Sequence, residues 1–359
     1  MSAKEIKSLT GIRGLAALYV IIFHWYVEIS NKQLPSVNGF VKTIIGHGYL
    51  SVDLFFVLSG FVLCLSSYKL FDHFRLKDYL SFLYKRFSRI FPLYICITLL
   101  YYMMFKYKLI NLFVNLTLFQ GIIRPYNNSI IPPGWSLTNE WILYFIFPLL
   151  FFLILKTKIK PWMLIAITVA ILVTLSFIRS YGVNWANHFH LKGIKGFYPV
   201  ISFTRGPASL LRTLSAYLLG IAAFLWYQKK TDTSYFKYVI ALLFVMLYIS
   251  KSDVFLILLM PFALLFLTET SFISKFLASK FIYFIGLISY SLYLNHYLFI
   301  KTYAKTAKLL GINNSLFSFF YVIGCSLIFS ILTYYVIEKP GMNFFKRLRF
   351  KNSSVTVLN

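Results

Sequence analysis

Long apolar runs recur along the whole chain, and they constrain its fold more than any other feature. Of its 359 residues, 59% are hydrophobic and only 13% are charged, a composition too apolar for an ordinary soluble domain. A helix needs about 20 mostly apolar residues to cross a bilayer. Such runs lie at 11–30, 47–68, 90–105, 110–122, 139–155, 161–179, 207–227, 237–250, 254–269, 281–301 and 313–337. The sequence therefore predicts an all-α, polytopic transmembrane helical bundle.

The distribution of Lys and Arg predicts on which side of the membrane each loop lies. If the short run 110–122 is re-entrant or interfacial, ten crossings remain and both termini share one side. This arrangement puts 22 Lys and Arg on the side of the termini and 13 on the other, with Arg212 inside a helix. Because cytoplasmic loops are enriched in these residues, we expect both termini to be cytoplasmic. The net charge of +26 then reflects membrane orientation, and no nucleic-acid partner is expected.

The pattern along the chain predicts one transmembrane domain over 1–345, followed by a basic cytoplasmic tail at 346–359. No small-residue cleavage pattern follows the first apolar run, so we expect it to be a retained signal anchor. Three cysteines, Cys64, Cys96 and Cys325, fall inside apolar runs. They are expected to be packing residues, and no disulfide framework or metal site is predicted.

Ionisable side chains within apolar runs are candidates for function, because burying them unpaired is costly. Arg13 and His24 are eleven residues apart, which is about 16 Å along a helix and brings both to one face. On the predicted topology His24 lies in the outer half of the membrane, where Asp53, Glu140 and His296 are also expected. There His24 could act as a general base oriented by Asp53 or Glu140. The alternative is a hydrogen-bonded core histidine.

A second group of cations is expected at the inner side of the membrane, where the third crossing begins. Arg86 and Arg89 are three residues apart and lie on one helix face, so they could grip phosphate oxygens bidentately. The alternative is an ordinary positive-inside anchor. Arg13 is expected at the same depth, which favours a phosphate-bearing ligand that arrives from the cytoplasm.

Other polar and aromatic residues are expected around the outer half. Trp135 and Ser136 follow a rigid Pro-Pro-Gly turn and could form a shaped rim, or an interfacial aromatic belt with a helix cap. The segment 180–206 is the longest outer loop, and its aromatic and amide side chains suit a sugar, although a generic interfacial loop has a similar composition. Arg212 lies inside a span and is a further candidate. Ser59 precedes Gly60, and this pair is the nearest the sequence comes to a functional glycine motif. It is equally typical of a close helix-packing point.

Six short strings follow one another in a defined order. They are “IRGLAALYVIIFH” with Arg13 and His24, “SVDLFFVLSGF” with Asp53 and Ser59, “RFSR” with Arg86 and Arg89, “GWSLTNE” with Trp135, Ser136 and Glu140, “ISYSLYLNH” with Tyr290 and His296, and “EKP” with Glu338. In this order, and over nearly the whole chain, they resemble the acyltransferase 3 family of integral membrane acyltransferases. The esterase-like C-terminal domain that some relatives carry is not expected here, so the chain resembles the stand-alone form.

The resemblance implies transfer of an acyl group, most often acetyl, from cytoplasmic acetyl-CoA or another acyl-CoA to a sugar. The acceptor would be a cell-surface polysaccharide, such as lipopolysaccharide O-antigen or capsule, or its lipid-linked precursor. The reaction would occur at the outer side of a bacterial cytoplasmic, or inner, membrane. By the same resemblance His24 is the catalytic histidine, Arg13 its partner in the motif, and Arg86 and Arg89 handle the donor.

Together these observations predict one mechanism. The CoA phosphates would dock at the arginines, and the pantetheine arm would follow the stripe from Arg13 to His24. His24 would deprotonate the acceptor hydroxyl or carry the acyl group itself, with Glu140 or Asp53 orienting the ring. No metal is expected. Supporting or acceptor-binding roles are expected for Ser59, Trp135, Ser136, Arg212, Tyr290 and His296.

Two other functions are consistent with parts of the pattern. A secondary transporter also places polar residues within the membrane, but it predicts inverted repeats, and the two halves of the sequence do not correspond. An acyltransferase acting on a lipid would require an apolar lateral portal. For either enzyme the surrounding membrane lipid is an expected partner.

Overall fold

The computed structural model describes residues 5–30, 38–71, 73–121, 129–180, 200–204, 206–312 and 314–355. All the helices and turns assigned as regular elements in these ranges belong to one helical bundle. The α-helices are α1 Lys7–Trp25, α2 Gly39–Gly46, α3 Ser51–Ser67, α4 Leu76–Phe105, α5 Leu109–Leu116, α6 Trp135–Thr157, α7 Pro161–Ser180, α8 Gly206–Gln228, α9 Lys237–Leu247, α10 Asp253–Thr268, α11 Phe272–Leu277, α12 Lys280–Leu287, α13 Ser289–Leu310, α14 Ser315–Thr333 and α15 Lys339–Val355. Short π-helical turns, Tyr26–Ser30 and Tyr334–Glu338, extend α1 and join α14 to α15.

Within the described ranges, seven helical spans are long and apolar enough to cross a membrane. They are Lys7–Ser30, Gly39–Ser67, Leu76–Phe105, Pro132–Thr157, Pro161–Ile178, Gly206–Gln228 and Ser315–Leu348. Two shorter apolar helices, α9 and α10, and the more polar α13 also run through the bundle, and the count of ten crossings stays a prediction. The chain is therefore a multi-pass helical membrane protein. We call the end of the bundle where α1 begins the near end, and the end where α1 finishes the far end.

The described part of the run 110–122 contains no helix that could cross the membrane, in agreement with the prediction of a re-entrant or interfacial segment. It holds α5, which has only eight residues and is too short to cross a bilayer. The hydroxyl of Tyr94, inside α4, donates to the Asn115 carbonyl at 2.9 Å, and the Ile130 N–H donates to the Asn115 side chain at 2.9 Å. The chain thus dips towards the middle of α4 and returns to the far end.

Two helices begin earlier than the apolar runs suggest. α4 starts at Leu76, because its first turns are amphipathic and not continuously apolar, so Arg86 and Arg89 lie inside the helix. α6 starts at Trp135, directly after the turn Pro132–Gly134, where proline favours helix initiation. Glu140 therefore lies about 7.5 Å along α6 and does not begin the helix at its outer end.

Glycines set the helix crossings that position the polar residues. A Cβ atom at Gly60 of α3 would lie 2.5 Å from the Tyr217 carbonyl oxygen of α8, so only glycine allows this approach. A Cβ at Gly14 of α1 would lie 2.6 Å from the Gly286 nitrogen of α12. The first crossing brings Asp53 close to α8, and the second aligns α1 with the start of α13. The close packing predicted at the Ser59–Gly60 pair is therefore present.

The structure describes little of the predicted outer loop, and it extends the last helix past the predicted domain boundary. Residues 181–199 and Arg205 of the predicted outer loop 180–206 lie outside the described residues. At the other end of the chain, α15 continues through the predicted boundary at 345–346, and the Tyr84 hydroxyl holds it to α4 by donating to the Phe345 carbonyl at 2.8 Å.

Candidate active site

A cavity of about 350 Å³ lies beside the far half of α1, and His24 forms part of its wall. α13 contributes Tyr293 and Tyr297, α6 contributes Trp135, and α8 contributes Arg212. The wall also contains amide and hydroxyl side chains from the described connecting segments, namely Gln120, Ser129, Ser202 and Thr204. Aromatic faces with a few convergent polar groups are typical of small-molecule binding sites.

His24 and His296 form a hydrogen-bonded pair at the wall of this cavity. His24 Nδ1 lies 3.0 Å from His296 Nε2, and His296 Nδ1 lies 2.8 Å from the Tyr293 carbonyl oxygen. A carbonyl oxygen only accepts, so His296 Nδ1 carries a proton and its neutral ring accepts at Nε2. His24 Nδ1 must then donate, which leaves Nε2 as the unprotonated, basic nitrogen of His24. The chain of contacts selects one tautomer of the predicted catalytic base.

Two tyrosines restrain this histidine pair. The Tyr297 ring lies edge-on to His24 with its centroid 5.4 Å away, and its hydroxyl donates to Glu28 Oε1 at 2.7 Å. The Tyr293 hydroxyl is 2.8 Å from Ser136 Oγ, which ties α13 to the first turn of α6. Ring packing and hydrogen bonds on both sides therefore hold the orientation of His24 and His296.

Asp53 forms a buried ion pair with Arg212. Arg212 Nε donates to Asp53 Oδ1 at 2.8 Å, and Nη2 donates to Oδ2. Both side chains are almost completely buried, at 0% and 1% exposure. The guanidinium carbon also lies 5.2 Å from the Tyr49 ring centroid and 5.6 Å from that of Trp135. Since Arg212 binds both carboxylate oxygens, the expectation that Asp53 orients His24 is wrong.

Glu140 belongs to a second polar cluster, nearer to the start of α1. Its Oε1 accepts hydrogen bonds from Ser59 Oγ at 3.0 Å and from the Tyr144 hydroxyl at 2.5 Å. The same carboxylate lines a cavity of about 60 Å³ together with Arg13, Arg86, Arg89 and Tyr290. The expectation that Glu140 orients His24 is therefore also wrong, because the early start of α6 carries Glu140 away from the far end. His296 takes the place that a carboxylate was expected to fill.

The three arginines of this cluster outnumber its carboxylate. Arg86 Nη2 donates to Ser66 Oγ at 3.3 Å, whereas its Nε is buried and has no hydrogen-bond partner among the described residues. Arg13 and Arg89 line the same small cavity, so excess positive charge and a free donor converge on one space. Guanidinium groups in this arrangement are suited to an anion such as phosphate.

A series of cavities connects the arginine cluster to the histidine pair. A second cavity of about 60 Å³ shares Arg13, Ser59, Glu140 and Tyr290 with the first. It also shares Val52 and Tyr293 with the cavity that contains His24. The three spaces therefore follow one another from the near half of the bundle to the far half, along the face of α1 that carries Arg13 and His24.

Other features of the described ranges are less suited to chemistry. A larger cavity of about 490 Å³ lies against α9, α10 and α11, and its wall consists almost entirely of apolar side chains. In the part of the chain that the structure describes, no cluster of three or more His, Cys, Asp or Glu side chains could hold a metal ion. The cavity at His24 is therefore the best candidate active site.

Sequence reasoning identified His24 and His296 but missed the residues that restrain them. Tyr293 and Tyr297 are four residues apart, so helical periodicity puts both on the face of α13 that also carries His296. Glu28 follows His24 by four residues and lies one turn further along α1 and its π-helical extension. These spacings can be read in the sequence, but they indicate a shared site only when α1 and α13 are known to be neighbours.

Comparison with known proteins supports an acyltransferase. The acyltransferase MdmB of Streptomyces mycarofaciens is 30% identical over 197 residues, which cover 49% of this chain and 47% of MdmB. The O-acetyltransferase OatA of Staphylococcus aureus is 29% identical over 349 residues, covering 84% of this chain and 52% of OatA. The chain thus spans about half the length of these curated relatives. No solved structure gives a significant match.

The match to a known family extends over almost the whole bundle. Residues 6–335 match the family described as acyltransferase domain, and this range includes the histidine pair, the arginine cluster and the cavities between them. The protein is therefore a multi-pass membrane member of the acyltransferase 3 family.

Proposed function

We propose that this protein is an O-acyltransferase that moves an acetyl group from acetyl-CoA to a hydroxyl of a cell-surface glycan. The observation that carries the proposal is the hydrogen-bond chain from the Tyr293 carbonyl through His296 to His24. It leaves a basic nitrogen at a cavity that a series of smaller spaces joins to three arginines. A base and an anion-binding cluster in one passage are suited to a long donor with a phosphorylated end.

In the proposed reaction His24 acts as general base and then as general acid. Its Nε2 takes the proton of the acceptor hydroxyl as the oxygen attacks the thioester carbonyl carbon, forming the new C–O bond. The C–S bond breaks as the tetrahedral intermediate collapses. The proton passes from the His24 imidazolium to the departing sulfur, so that acetyl ester and CoA are released and His24 is neutral again.

The donor is proposed to enter from the near end, which would face the cytoplasm. Lys and Arg are more numerous on the side of the termini, 22 against 13, in agreement with the positive-inside bias. The arginine cluster would hold CoA phosphates, and the pantetheine arm would pass Ser59, Glu140 and Tyr290 towards His24. Arg13 and His24 are about 16 Å apart along α1, and an extended pantetheine arm can span this distance.

The acceptor is proposed to enter from the far end, outside the cytoplasmic membrane of a bacterium. The cavity there offers aromatic faces from Trp135, Tyr293 and Tyr297, together with hydroxyl and amide groups, as a sugar requires. OatA is an O-acetyltransferase by name, which agrees with an oxygen acceptor. A polysaccharide such as O-antigen or capsule, or its lipid-linked precursor, fits this description.

The function is tested by CoA release from purified protein in detergent. We expect acetyl-CoA to yield free thiol and acetylated glycan when de-O-acetylated O-antigen or capsular polysaccharide is added. The His24→Ala variant should lose this activity, whereas His73→Ala, which changes an exposed histidine at the near end, should keep it. If no polysaccharide of such a panel stimulates CoA release, or if His24→Ala retains full activity, the proposal is wrong.

Substitution of both Arg86 and Arg89 with glutamine should raise the KM for acetyl-CoA by about tenfold or more. The reason is that each hydrogen bond to a charged group contributes about 1.5–3 kcal/mol. Acetyl-pantetheine lacks the phosphorylated nucleotide, so its KM should stay within about twofold. Steady-state kinetics with the two donors measures the difference.

A matched control is the double variant Lys229→Gln/Lys237→Gln, which removes two exposed charges at the same end of the bundle. It should leave both KM values unchanged. Equal effects of the two double variants would mean that Arg86 and Arg89 act only through overall charge.

A further inference from the structure

The segment 200–204 forms one wall of the cavity at His24. Ser202 and Thr204 line the cavity, whereas Ile201 and Phe203 alternate with them and are fully buried in the bundle. The segment is connecting chain, yet its polar side chains face the site and its apolar side chains face the core. Its position therefore determines the shape of the space beside His24.

Two buried charged residues hold the backbone of this segment. Asp253, the first residue of α10, accepts a hydrogen bond from the Val200 N–H at its Oδ2. Arg212 Nη1 donates to the Phe203 carbonyl at 3.1 Å. Asp253 and Arg212 are 0% and 1% exposed. Hydrogen bonds therefore attach the segment to two helices, to α10 at Val200 and to α8 at Phe203.

The second carboxylate oxygen of Asp253 lies close to His47. His47 Nε2 lies 3.4 Å from Asp253 Oδ1, and His47 Nδ1 lies 3.1 Å from the Leu247 carbonyl oxygen. One ring nitrogen therefore faces the carboxylate of Asp253, and the other faces a backbone carbonyl oxygen of the segment that precedes α10. His47 and Asp253 are both completely buried, and the proposed transfer reaction uses neither of them.

We propose that Asp253, supported by His47, is a positioning residue that holds the segment 200–204 as the wall of the acceptor site. This inference rests on the proposed function, because it assigns the cavity to the glycan acceptor. Asp253 acts through the backbone at Val200 and does not touch the reacting atoms. Its role is to keep Ser202 and Thr204 directed at the acceptor, so that acceptor affinity depends on a carboxylate outside the cavity.

The two oxygens of a carboxylate explain why an acidic side chain is suited to this position. An ordinary role for an acid in the first turn of a helix is to interact with the helix dipole. Here one oxygen of Asp253 accepts from the backbone of a different segment, while the other faces His47. A role limited to α10 would require neither contact, and it would not connect α10 to the cavity wall.

The first experiment measures the position of the segment without relying on enzyme activity. In a background with Cys64, Cys96 and Cys325 replaced by serine, a Ser202→Cys variant is labelled with a polar maleimide. Ser202 is only 3% exposed, so labelling should be slow. Adding Asp253→Ala should raise the labelling rate by about tenfold, since the Val200 N–H then loses its carboxylate acceptor. Asp253→Asn keeps an oxygen for the Val200 N–H and should raise it less.

The second experiment separates acceptor binding from donor chemistry. Asp253→Ala should raise the KM for de-O-acetylated O-antigen by about tenfold. The KM for acetyl-CoA, and the slow release of CoA to water without glycan, should stay within about twofold. Asp253→Asn should recover most of the acceptor affinity. Asp78→Ala, which removes a carboxylate from the Arg75–Asp78 pair at the near end, is the matched control.

The outcomes distinguish this proposal from the proposed function. Unchanged labelling and unchanged acceptor KM in Asp253→Ala would overturn the positioning role while leaving acyl transfer intact. Equal losses in donor and acceptor kinetics in both Asp253 variants would show a general structural role and would also overturn it. Faster labelling in a protein that never releases CoA would support the anchoring by Asp253 and contradict the proposed function.

Discussion

Replacing His296 with alanine will lower kcat by about 100-fold, while the KM values for acetyl-CoA and glycan change little. General acid–base catalysis contributes about 10²–10⁴-fold, and it requires the correct nitrogen of the base to be unprotonated. His296 accepts the Nδ1 proton of His24 because its own Nδ1 is committed to the Tyr293 carbonyl. Without this acceptor, His24 can adopt the other tautomer and rotate, so a smaller fraction of enzyme is competent. Steady-state kinetics of CoA release measures the effect.

The His296→Gln variant provides the conservative comparison. A glutamine can offer an oxygen to His24 Nδ1, so we expect it to recover part of the lost kcat. His73→Ala removes a histidine from the exposed near end and should have no effect. If His296→Ala and His73→Ala give the same kcat, the tautomer argument fails and His24 does not depend on its neighbour. A large change in KM with an unchanged kcat would assign His296 to substrate binding.

Breaking the Asp53–Arg212 pair from one side will destabilise the protein by about 3–5 kcal/mol. Removing one partner of a buried ion pair leaves the other charge uncompensated, and both side chains here are almost completely buried. Asp53→Asn and Arg212→Met should therefore each lower the unfolding temperature in detergent and reduce the yield of folded protein. Thermal unfolding followed by tryptophan fluorescence measures the change.

The double variant Asp53→Leu/Arg212→Met tests whether the charges or the shape of the pair matter. It removes both charges, so it should be more stable than either single variant. The pair Arg75–Asp78, in which the Arg75 side chain is 72% exposed, is the control, and its neutralisation should have little effect on unfolding. A double variant that is as unstable as the sum of the single variants would show that Asp53 and Arg212 do not stabilise the bundle as a pair.

Hydropathy and helical periodicity were sufficient to predict the bundle and part of the site. The long apolar helices, the short helix within 110–122 and the common face of Arg13 and His24 depend on residues close in sequence. The arginine cluster could be predicted for the same reason, because Arg86 and Arg89 share a helix face whatever surrounds that helix. Each of these features is local, and a helix of known period determines it.

The pairing of polar residues could not be predicted in this way. Asp53 and Glu140 were both expected beside His24, and the structure pairs Asp53 with Arg212 and puts Glu140 among the arginines. An error of four residues in the start of α6 is enough to change the depth of Glu140 by one turn. Partners on different helices depend on crossing angles and depths, which hydropathy does not contain.

The sequence by itself determined that this protein is a helical membrane bundle with a histidine and three arginines at defined depths. Only the tertiary structure decided that His296 orients His24, that Asp53 forms an ion pair with Arg212, and that Asp253 holds residues 200–204. The physical reason is the packing of α1, α3, α8 and α13, where glycines such as Gly14 and Gly60 allow backbones to approach closely. That packing brings His24 to His296 and Asp53 to Arg212, pairs that are more than a hundred residues apart in the sequence, and burial in an apolar interior favours the pairing of such polar groups.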